Sequence, residues 1–182
     1  MARMAAAIGE RGDAEAYRKS FGEIAAAFRK RFVTADGTIE GDALTGYLLA
    51  LRFKLLDSEQ EKSGASRLAE IIENEPTQMC GFIGVNQLLP ALADIGRPDL
   101  AYRVLQRKTY PGWGFCVAQG ATTMWERWNG RMGPGRYFDP GMNSFNHYAF
   151  GSCVQWFYEG ILGIRPGRPG FAPAQSTGFA AR

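Results

Sequence analysis

Apolar residues recur at helical spacing through most of this 182-residue sequence. The first run steps by three and four residues and comprises Tyr17, Phe21, Ile24, Phe28 and Phe32. Such spacing places all of these side chains on one face of a single long helix. We expect Asp13 to cap the start of this helix and Asp36 with Gly37 to form the turn that follows it.

Two further helices are predicted next along the chain. The first has one apolar face, made of Leu44, Tyr47, Leu48, Leu51 and Leu55. Asp42 is placed to cap the start of that helix. The second is expected to begin at a capping box formed by Ser58 and Glu61, a spacing that satisfies two backbone amides.

The rest of the chain continues the helical pattern. Residues 82–95 form an apolar helix that we expect to be kinked or to start late because it contains Pro90. Pro98 suits the first turn of the next helix. A last helix is predicted from about Ser144 to Ile161. Strand-type alternation is weak everywhere, so the predicted fold class is all-α, built of helical hairpins.

Composition argues against several classes of function. The chain is 46% hydrophobic and 21% charged, with a net charge of only +3 and scattered basic residues, so no nucleic-acid partner is expected. The cysteines Cys80, Cys116 and Cys153 lack the spacing of zinc ligands, so we predict no metal and no cofactor. Without a leader pattern or an apolar run of about 20 residues, we expect a cytoplasmic chain with no membrane segment.

Two stretches that interrupt the helical pattern are predicted to line a pocket. Residues 109–119 and 129–142 are rich in glycine, proline and aromatic residues, which are unfavourable to leave in water as plain loops. Trp113, in the first stretch, is either a platform for a sugar or a packing anchor. Apolar periodicity is absent from residues 165–182, which are predicted to be a linker or disordered tail after a domain of residues 1–164.

A carboxylate close to two indoles is the strongest candidate for catalysis. Glu126 lies in the sequence GATTMWERWNG, next to Trp125 and near Trp128. Apolar neighbours strip water from a carboxylate and favour proton transfer, and indoles pack on the apolar faces of sugar rings. From the residues alone, an equally good interpretation is a helix-surface glutamate paired with Arg127.

The one histidine of the chain, His147, follows a glycine-rich stretch. If Asn143 or Ser144 caps the last helix, His147 lies in its first turn. A lone histidine among aromatic residues is more often a core residue than a catalytic one. Because no second histidine or cysteine lies at ligand spacing, His147 is not expected to form a zinc site.

Several segments together resemble one enzyme family. GATTMWERWNG at 120–130 and DPGMNSFNHYAFGS at 139–152 closely resemble the C-terminal part of the catalytic barrel of bacterial α-L-rhamnosidases, glycoside hydrolase family 78. GFIGVNQLLPAL at 81–92, DLAYRVL at 99–105 and YPGWGF at 110–115 extend the resemblance. It implies an (α/α)6 barrel of the six-hairpin glycosidase type that hydrolyses terminal α-L-rhamnosyl bonds with inversion. The ligand would be a rhamnose-containing glycoside or oligosaccharide.

The resemblance also implies roles for individual residues. Glu126 matches the general base, which activates water. His147 matches a histidine that contacts the substrate. Trp113 and Trp125 match aromatic positions near the sugar pocket.

One departure from the family pattern limits what this chain is expected to do. The family's general acid lies in an upstream segment resembling DxxxRDERLGW, which has no counterpart here. We therefore expect a partial (α/α)6 barrel that is inactive alone and whose exposed half-barrel faces favour self-association. Two alternatives stay open at this point: another (α/α)6 glycosidase, such as a glucuronyl or glucosyl hydrolase, and a non-catalytic α-helical scaffold module.

Overall fold

Helices make up most of the structure, as the apolar periodicity predicts. The computed structural model describes residues 1–75, 77, 79–139, 141, 144–165, 167 and 175–176. In chain order, its α-helices are α1 (Ala2–Ala7), α2 (Arg11–Phe32), α3 (Leu44–Arg52), α4 (Ser58–Asn74), α5 (Phe82–Asp94), α6 (Pro98–Gln106), α7 (Trp113–Ala118) and α8 (Cys153–Trp156). The strands are β1 (Ile164–Arg165) and β2 (Gln175–Ser176), paired antiparallel.

Two helical hairpins form the aliphatic core. Helices α3 and α4 make one hairpin and α5 and α6 the other, with α3 packed on α5 and α4 on α6. Leu48 of α3, Leu68 of α4 and Leu88 of α5 are completely buried. Burial of one such side chain contributes about 1.5–3 kcal/mol. The segments that follow α6 pack on this layer through α5 and α6.

The cap of α4 lies one residue earlier than predicted. The Asp57 carboxylate accepts hydrogen bonds from the amides of Glu59 and Gln60, and the Asp57 amide donates to the Gln60 side chain. The predicted capping box of Ser58 and Glu61 is therefore wrong. Aspartate is as good an N-cap as serine, so the sequence offers two registers here.

The predicted caps of α2 and α3 are also wrong. Helix α2 begins at Arg11 with Glu10 as its N-cap, and Asp13 lies in its first turn, where a negative charge is favourable. The N-cap of α3 is Ala43 rather than Asp42.

Asp42 instead ties α3 to α4. Its carboxylate accepts hydrogen bonds from the Tyr47 hydroxyl at 2.7 Å and from Arg67 Nε at 3.0 Å. These two partners, Arg67 first, lower the pKa of Asp42 to about 2. Its backbone lies in the left-handed region, with a φ of 43°.

The long helix α2 is confirmed, but its apolar stripe is mostly exposed. Tyr17, Phe21 and Ile24 are 39%, 46% and 62% exposed, whereas Phe28 packs against the core. Helix α2 packs chiefly against α1. This exposed stripe of α2 is a surface through which the predicted self-association could occur. Self-association stays a prediction.

Helix α5 starts at the predicted residue and contains its proline. It begins at Phe82, so it does not start late, and Pro90 lies buried inside it. Gly96 follows with a φ of 80°, as expected of a residue after a helix end, and Pro98 opens α6. The place of Pro98 in the first turn of α6 is confirmed, and the late start of α5 is wrong.

The last helix differs from the prediction of one helix from Ser144 to Ile161. Helical structure begins only at a 3₁₀ turn, Ala149–Ser152, continues through α8, and ends in a π turn, Phe157–Ile161. Residues 144–147 bond to another segment instead. The predicted loop 109–119 likewise contains α7.

Little of the C-terminal stretch belongs to the described structure. Ile164 pairs with Ser176 and Arg165 with Gln175. The rest of the predicted tail, 165–182, lies almost entirely outside the described residues. Within the described part of the chain, no helix has both the length and the apolar character needed to cross a membrane.

Candidate active site

Two segments that are distant in sequence lie side by side in the structure. The amide of Glu126 donates to the carbonyl of Ser144 at 2.9 Å, and the amide of His147 donates to the carbonyl of Met124 at 2.8 Å. We call them the Glu126 segment (120–130) and the His147 segment (144–148). Their pairing brings together the two long motifs that carry the family resemblance.

The Glu126 carboxylate is held by a backbone amide. Its Oε2 accepts a hydrogen bond from the amide of Ser144 at 3.0 Å. Since the amide of Glu126 donates to the carbonyl of Ser144, two hydrogen bonds join these two residues. A neutral donor fixes the direction of a carboxylate without cancelling its charge. Glu126 is half-buried and is therefore accessible to water.

Arg127 does not pair with Glu126. Its guanidinium lies over the Phe138 ring, 5.2 Å from the ring centroid, and no ion pair joins Arg127 to Glu126 in the described structure. The residues around Glu126 form bends and turns rather than a helix. The interpretation of Glu126 as a helix-surface glutamate paired with Arg127 is therefore wrong.

Trp125 is fixed by aromatic contacts. It is 5% exposed, and its ring meets the Phe145 ring edge to face at a centroid distance of 5.5 Å. Phe145 in turn contacts Tyr137 at 5.5 Å. These rings connect the residue before Glu126 to the His147 segment, so they reinforce the same pairing.

Trp113 lies in the core rather than on an open surface. It is 6% exposed, its Nε1 donates to the carbonyl of Phe150 at 2.8 Å, and its ring meets Trp128 edge to face. Trp128 stacks on Phe150 with centroids 3.8 Å apart. This arrangement gives Trp113 a packing role, and its contact with sugar stays a prediction.

His147 stacks with two aromatic rings. Phe82 stacks on the imidazole at a centroid distance of 4.8 Å, and Tyr148 stacks on it at 5.3 Å. Its Nδ1 accepts a hydrogen bond from the Ala149 amide at 3.3 Å. The histidine is half-buried and precedes the helical turn, so its predicted place in the first turn of a helix is wrong.

Two cavities flank Trp125. The larger, about 550 Å³, is lined almost entirely by apolar side chains such as Trp113, Met124 and Phe157. The smaller, about 440 Å³, combines the rings of Tyr137 and Phe145 with polar groups that include Arg131 and Asp139. A hydroxylated ligand needs such polar partners, so the smaller cavity suits it better despite its size.

The thiols of the chain are unsuited to catalysis. Burial raises the pKa of Cys80 to about 12 and the pKa values of Cys116 and Cys153 to about 11, so all three stay protonated near neutral pH. Within the described residues, no group of three or more His, Cys, Asp and Glu side chains is placed to hold a metal ion.

Sequence reasoning missed two partners of the candidate residues. The Ser144 amide orients Glu126, although the sequence suggested Ser144 only as a helix cap. Phe82 stacks on His147 across 65 residues of chain, and no local pattern signals such a contact. The juxtaposition of the Glu126 and His147 segments follows only from the fold.

Comparison with known proteins decides the family. Residues 1–161 match the family described as the bacterial alpha-L-rhamnosidase 6 hairpin glycosidase domain. The chain belongs to this family. The predicted resemblance and the helical fold class are thereby confirmed, and the match favours this family over the other glycosidases and the scaffold module.

Individual relatives agree with the family match. The chain is 43% identical over 171 residues to an alpha-L-rhamnosidase of Streptomyces avermitilis, covering 93% of this chain and 16% of that protein. It is 41% identical over 170 residues to an alpha-L-rhamnosidase of Alteromonas sp. strain LOR, covering 92% and 18%. The chain therefore spans less than a fifth of the length of these two relatives.

Solved structures show the same fold. The crystal structure of the Streptomyces avermitilis alpha-L-rhamnosidase complexed with L-rhamnose superimposes with a TM-score of 0.90 at 41% identity, covering 97% of this chain and 17% of that one. The native alpha-L-rhamnosidase from Aspergillus terreus gives a TM-score of 0.91 at 32% identity, covering 98% and 21%.

Proposed function

We propose that this chain supplies the general-base part of an inverting α-L-rhamnosidase, with Glu126 as the base. The observation that supports the proposal most strongly is the carboxylate of Glu126, held at 3.0 Å by the Ser144 amide where the two motif segments meet. The substrate class is a glycoside or oligosaccharide that ends in an α-L-rhamnosyl residue. A relative crystallised with L-rhamnose agrees with that class.

The proposed reaction is a single displacement at the anomeric carbon. A water molecule attacks from the face opposite the leaving oxygen while Glu126 accepts one of its protons. The bond between the anomeric carbon and the glycosidic oxygen breaks, and a general acid protonates that oxygen. Two carboxyl groups roughly 6.5–9.5 Å apart leave room for the water.

This chain alone is expected to be inactive. It carries Glu126 but no counterpart of the family's acidic segment, and a poor leaving group needs the acid as much as the base. Loss of either catalyst typically slows such a reaction by about 10²–10⁴-fold. Hydrolysis of a natural rhamnoside by the isolated chain should therefore be undetectable.

The other candidate residues are assigned to the sugar side of the site. We place His147 and Trp125 near the rhamnosyl ring because both lie on the paired segments that carry Glu126. Trp113 supports the same region through Trp128 and Phe150.

A chimeric enzyme tests the base directly. The 171 residues of the Streptomyces avermitilis enzyme that match this chain are replaced by it, and 4-nitrophenyl α-L-rhamnoside is the substrate. In the chimera, Glu126→Gln should lower kcat by about 10²–10⁴-fold and leave the Kd for L-rhamnose nearly unchanged. Glu59→Gln, an equivalent change at an exposed position of α4, should leave kcat within about twofold of the parent.

Three results would contradict the proposal. Normal turnover of the Glu126→Gln chimera would remove Glu126 from catalysis. An equal loss in the Glu59→Gln chimera would show a general effect of removing charge. A parent chimera that folds but does not cleave the rhamnoside would show that this chain is not equivalent to the segment it replaces.

A further inference from the structure

The two ring nitrogens of His147 have different surroundings. Nδ1 accepts a hydrogen bond from the Ala149 amide at 3.3 Å. Ala149 opens the 3₁₀ turn, and amides in a first helical turn have no carbonyl partner within the helix, so the ring nitrogen satisfies one of them. Nε2 makes no hydrogen bond in the described structure and is not among its buried, unpartnered polar atoms, so it is accessible.

This asymmetry determines which nitrogen carries the proton. In a neutral imidazole one nitrogen donates a hydrogen bond and the other accepts one. Because Nδ1 faces a backbone N–H, it must be the acceptor, and the proton must lie on Nε2. The ring therefore presents an N–H donor on its accessible side.

The ring plane is fixed as well as the proton. Phe82, the first residue of α5, stacks on the imidazole at 4.8 Å with an interplanar angle of 16°. Phe82 also meets the buried Phe150 edge to face at 5.4 Å, so it is itself anchored to the core. Tyr148 also stacks on the imidazole but is 88% exposed, so Phe82 is the better anchored of the two partners.

We infer that Phe82 and the Ala149 amide hold His147 as a neutral Nε2–H donor aimed at a hydroxyl oxygen of the substrate. Phe82 is a positioning residue in this scheme, since it acts through His147. The tautomer itself is independent of the enzyme's activity. The contact with a sugar hydroxyl rests on the proposed function.

The tautomer can be measured without residue assignment. The chain contains one histidine, so a long-range ¹H–¹⁵N correlation spectrum of the labelled chain shows only His147 in the imidazole region. In an alkaline buffer in which imidazoles are neutral, Nδ1 should give the pyridine-type shift and Nε2 the pyrrole-type shift. The reverse pattern, or averaged shifts from mixed tautomers, would overturn the inference.

A variant of Phe82 tests whether the stacked ring helps to hold the imidazole. Phe82→Leu keeps an apolar side chain at the start of α5 but removes the stacked ring, so the imidazole shifts should move towards the averaged values. Phe21→Leu is the matched control, because Phe21 has the same exposure of 46% but lies on α2. Unchanged shifts in Phe82→Leu, or equal changes in the control, would remove Phe82 from the scheme.

Kinetics in the chimeric enzyme test the contact with substrate. His147→Ala should raise KM for the aryl rhamnoside about 3- to 10-fold, the range of one neutral hydrogen bond. His147→Gln keeps an N–H donor near the place of Nε2 and should recover part of that loss. His147→Asn places its amide near Nδ1 and should not.

The outcomes distinguish the two proposals. The predicted tautomer with normal kinetics in His147→Ala would overturn the contact with sugar but leave Glu126 as the base. Loss of turnover in Glu126→Gln with mixed tautomers at His147 would support the base and overturn the positioning scheme. Equal KM values in His147→Gln and His147→Asn would also overturn the claim that His147 donates through Nε2.

Discussion

The helices α2 to α6 and the segment of residues 113–161 are built in different ways. The first, the regular region, buries leucine, isoleucine and alanine from periodic helical faces. The second, the aromatic region, combines short helical turns with stacked and edge-to-face rings, including Trp113, Trp128 and Phe150. Every residue proposed to act in catalysis or to contact the sugar lies in the aromatic region.

The aromatic region, which carries the candidate site, is also the less regular and less fully hydrogen-bonded of the two. Both buried side-chain polar atoms that lack a hydrogen-bond partner in the described structure, Arg127 Nε and Trp156 Nε1, lie in the aromatic region. An unsatisfied buried polar group costs about 1–3 kcal/mol, so a region that carries two of them depends on its surroundings for stability. The regular region provides that support, and irregular segments carry the candidate site.

The largest expected contrast between the regions comes from one substitution made in each. A Cβ added at Gly160 would clash with the indole of Trp156, whereas one added at Gly22, within α2, meets nothing within 4 Å. Gly160→Ala should lower the free energy of unfolding by about 1–3 kcal/mol through overpacking. Gly22→Ala should raise it by about 0.5–1 kcal/mol through helix propensity.

Urea denaturation of both variants checks this contrast. Near-ultraviolet circular dichroism should also change in Gly160→Ala, because the Trp156 ring must move. A destabilisation of the same size at both positions would contradict this account. It would show that a methyl group at Gly160 is tolerated as well as one at Gly22, although Gly160 packs against Trp156.

A smaller effect is expected from removing the indole N–H of Trp113. Trp113→Phe leaves the carbonyl of Phe150 without its 2.8 Å donor and should cost about 1–2 kcal/mol of unfolding free energy. The exposed Tyr17→Phe serves as a control and should change stability by less than about 0.5 kcal/mol.

The same variant decides between the two interpretations of Trp113. If Trp113 only packs, KM of the chimeric enzyme for the aryl rhamnoside should stay within about twofold of the parent. A tenfold rise in KM with unchanged stability would instead show the predicted contact with sugar.

The smallest effect concerns an ion pair of the regular region. Hydrogen bonds from Arg67 and Tyr47 lower the pKa of Asp42 from 3.8 to about 2, so the charged form stabilises the fold above about pH 4. This contribution should disappear as pH falls through about 2. Asp42→Asn should cost about 1 kcal/mol or less at neutral pH, because both partners are partly exposed.

Stability measured against pH tests this pair. Asparagine tolerates the left-handed backbone of Asp42, so the substitution removes charge without adding strain. The difference between parent and variant should shrink as pH falls from 4 to 2. A constant difference across this range would assign the effect to packing.

The sequence predicts the regular region better than the aromatic one, for a physical reason. Leu48 and Leu88 belong to repeating faces, and Gly96 and Pro98 mark helix ends through their own backbone preferences. Caps are less certain because Asp57 and Ser58 are both good N-cap residues. Tertiary packing then decides which of the two residues becomes the N-cap.

The site is predictable only in part. The residue types around Glu126 and the family resemblance identify the candidate base without any structure. The hydrogen bond from Ser144, the stack of Phe82 on His147 and the burial of Trp113 depend on contacts between segments distant in the chain. No local pattern encodes such contacts, so only the folded chain reveals which side chains meet.

Chemical rescue of the Glu126→Gln chimera tests the central claim most directly. Azide needs no proton removal, so it can replace the water that Glu126 activates. With an activated aryl rhamnoside, added azide should restore part of the lost rate and give β-L-rhamnosyl azide, formed by attack on the face opposite the leaving group. No rescue, or an α-linked azide, would contradict the assignment of Glu126 as the general base of an inverting enzyme.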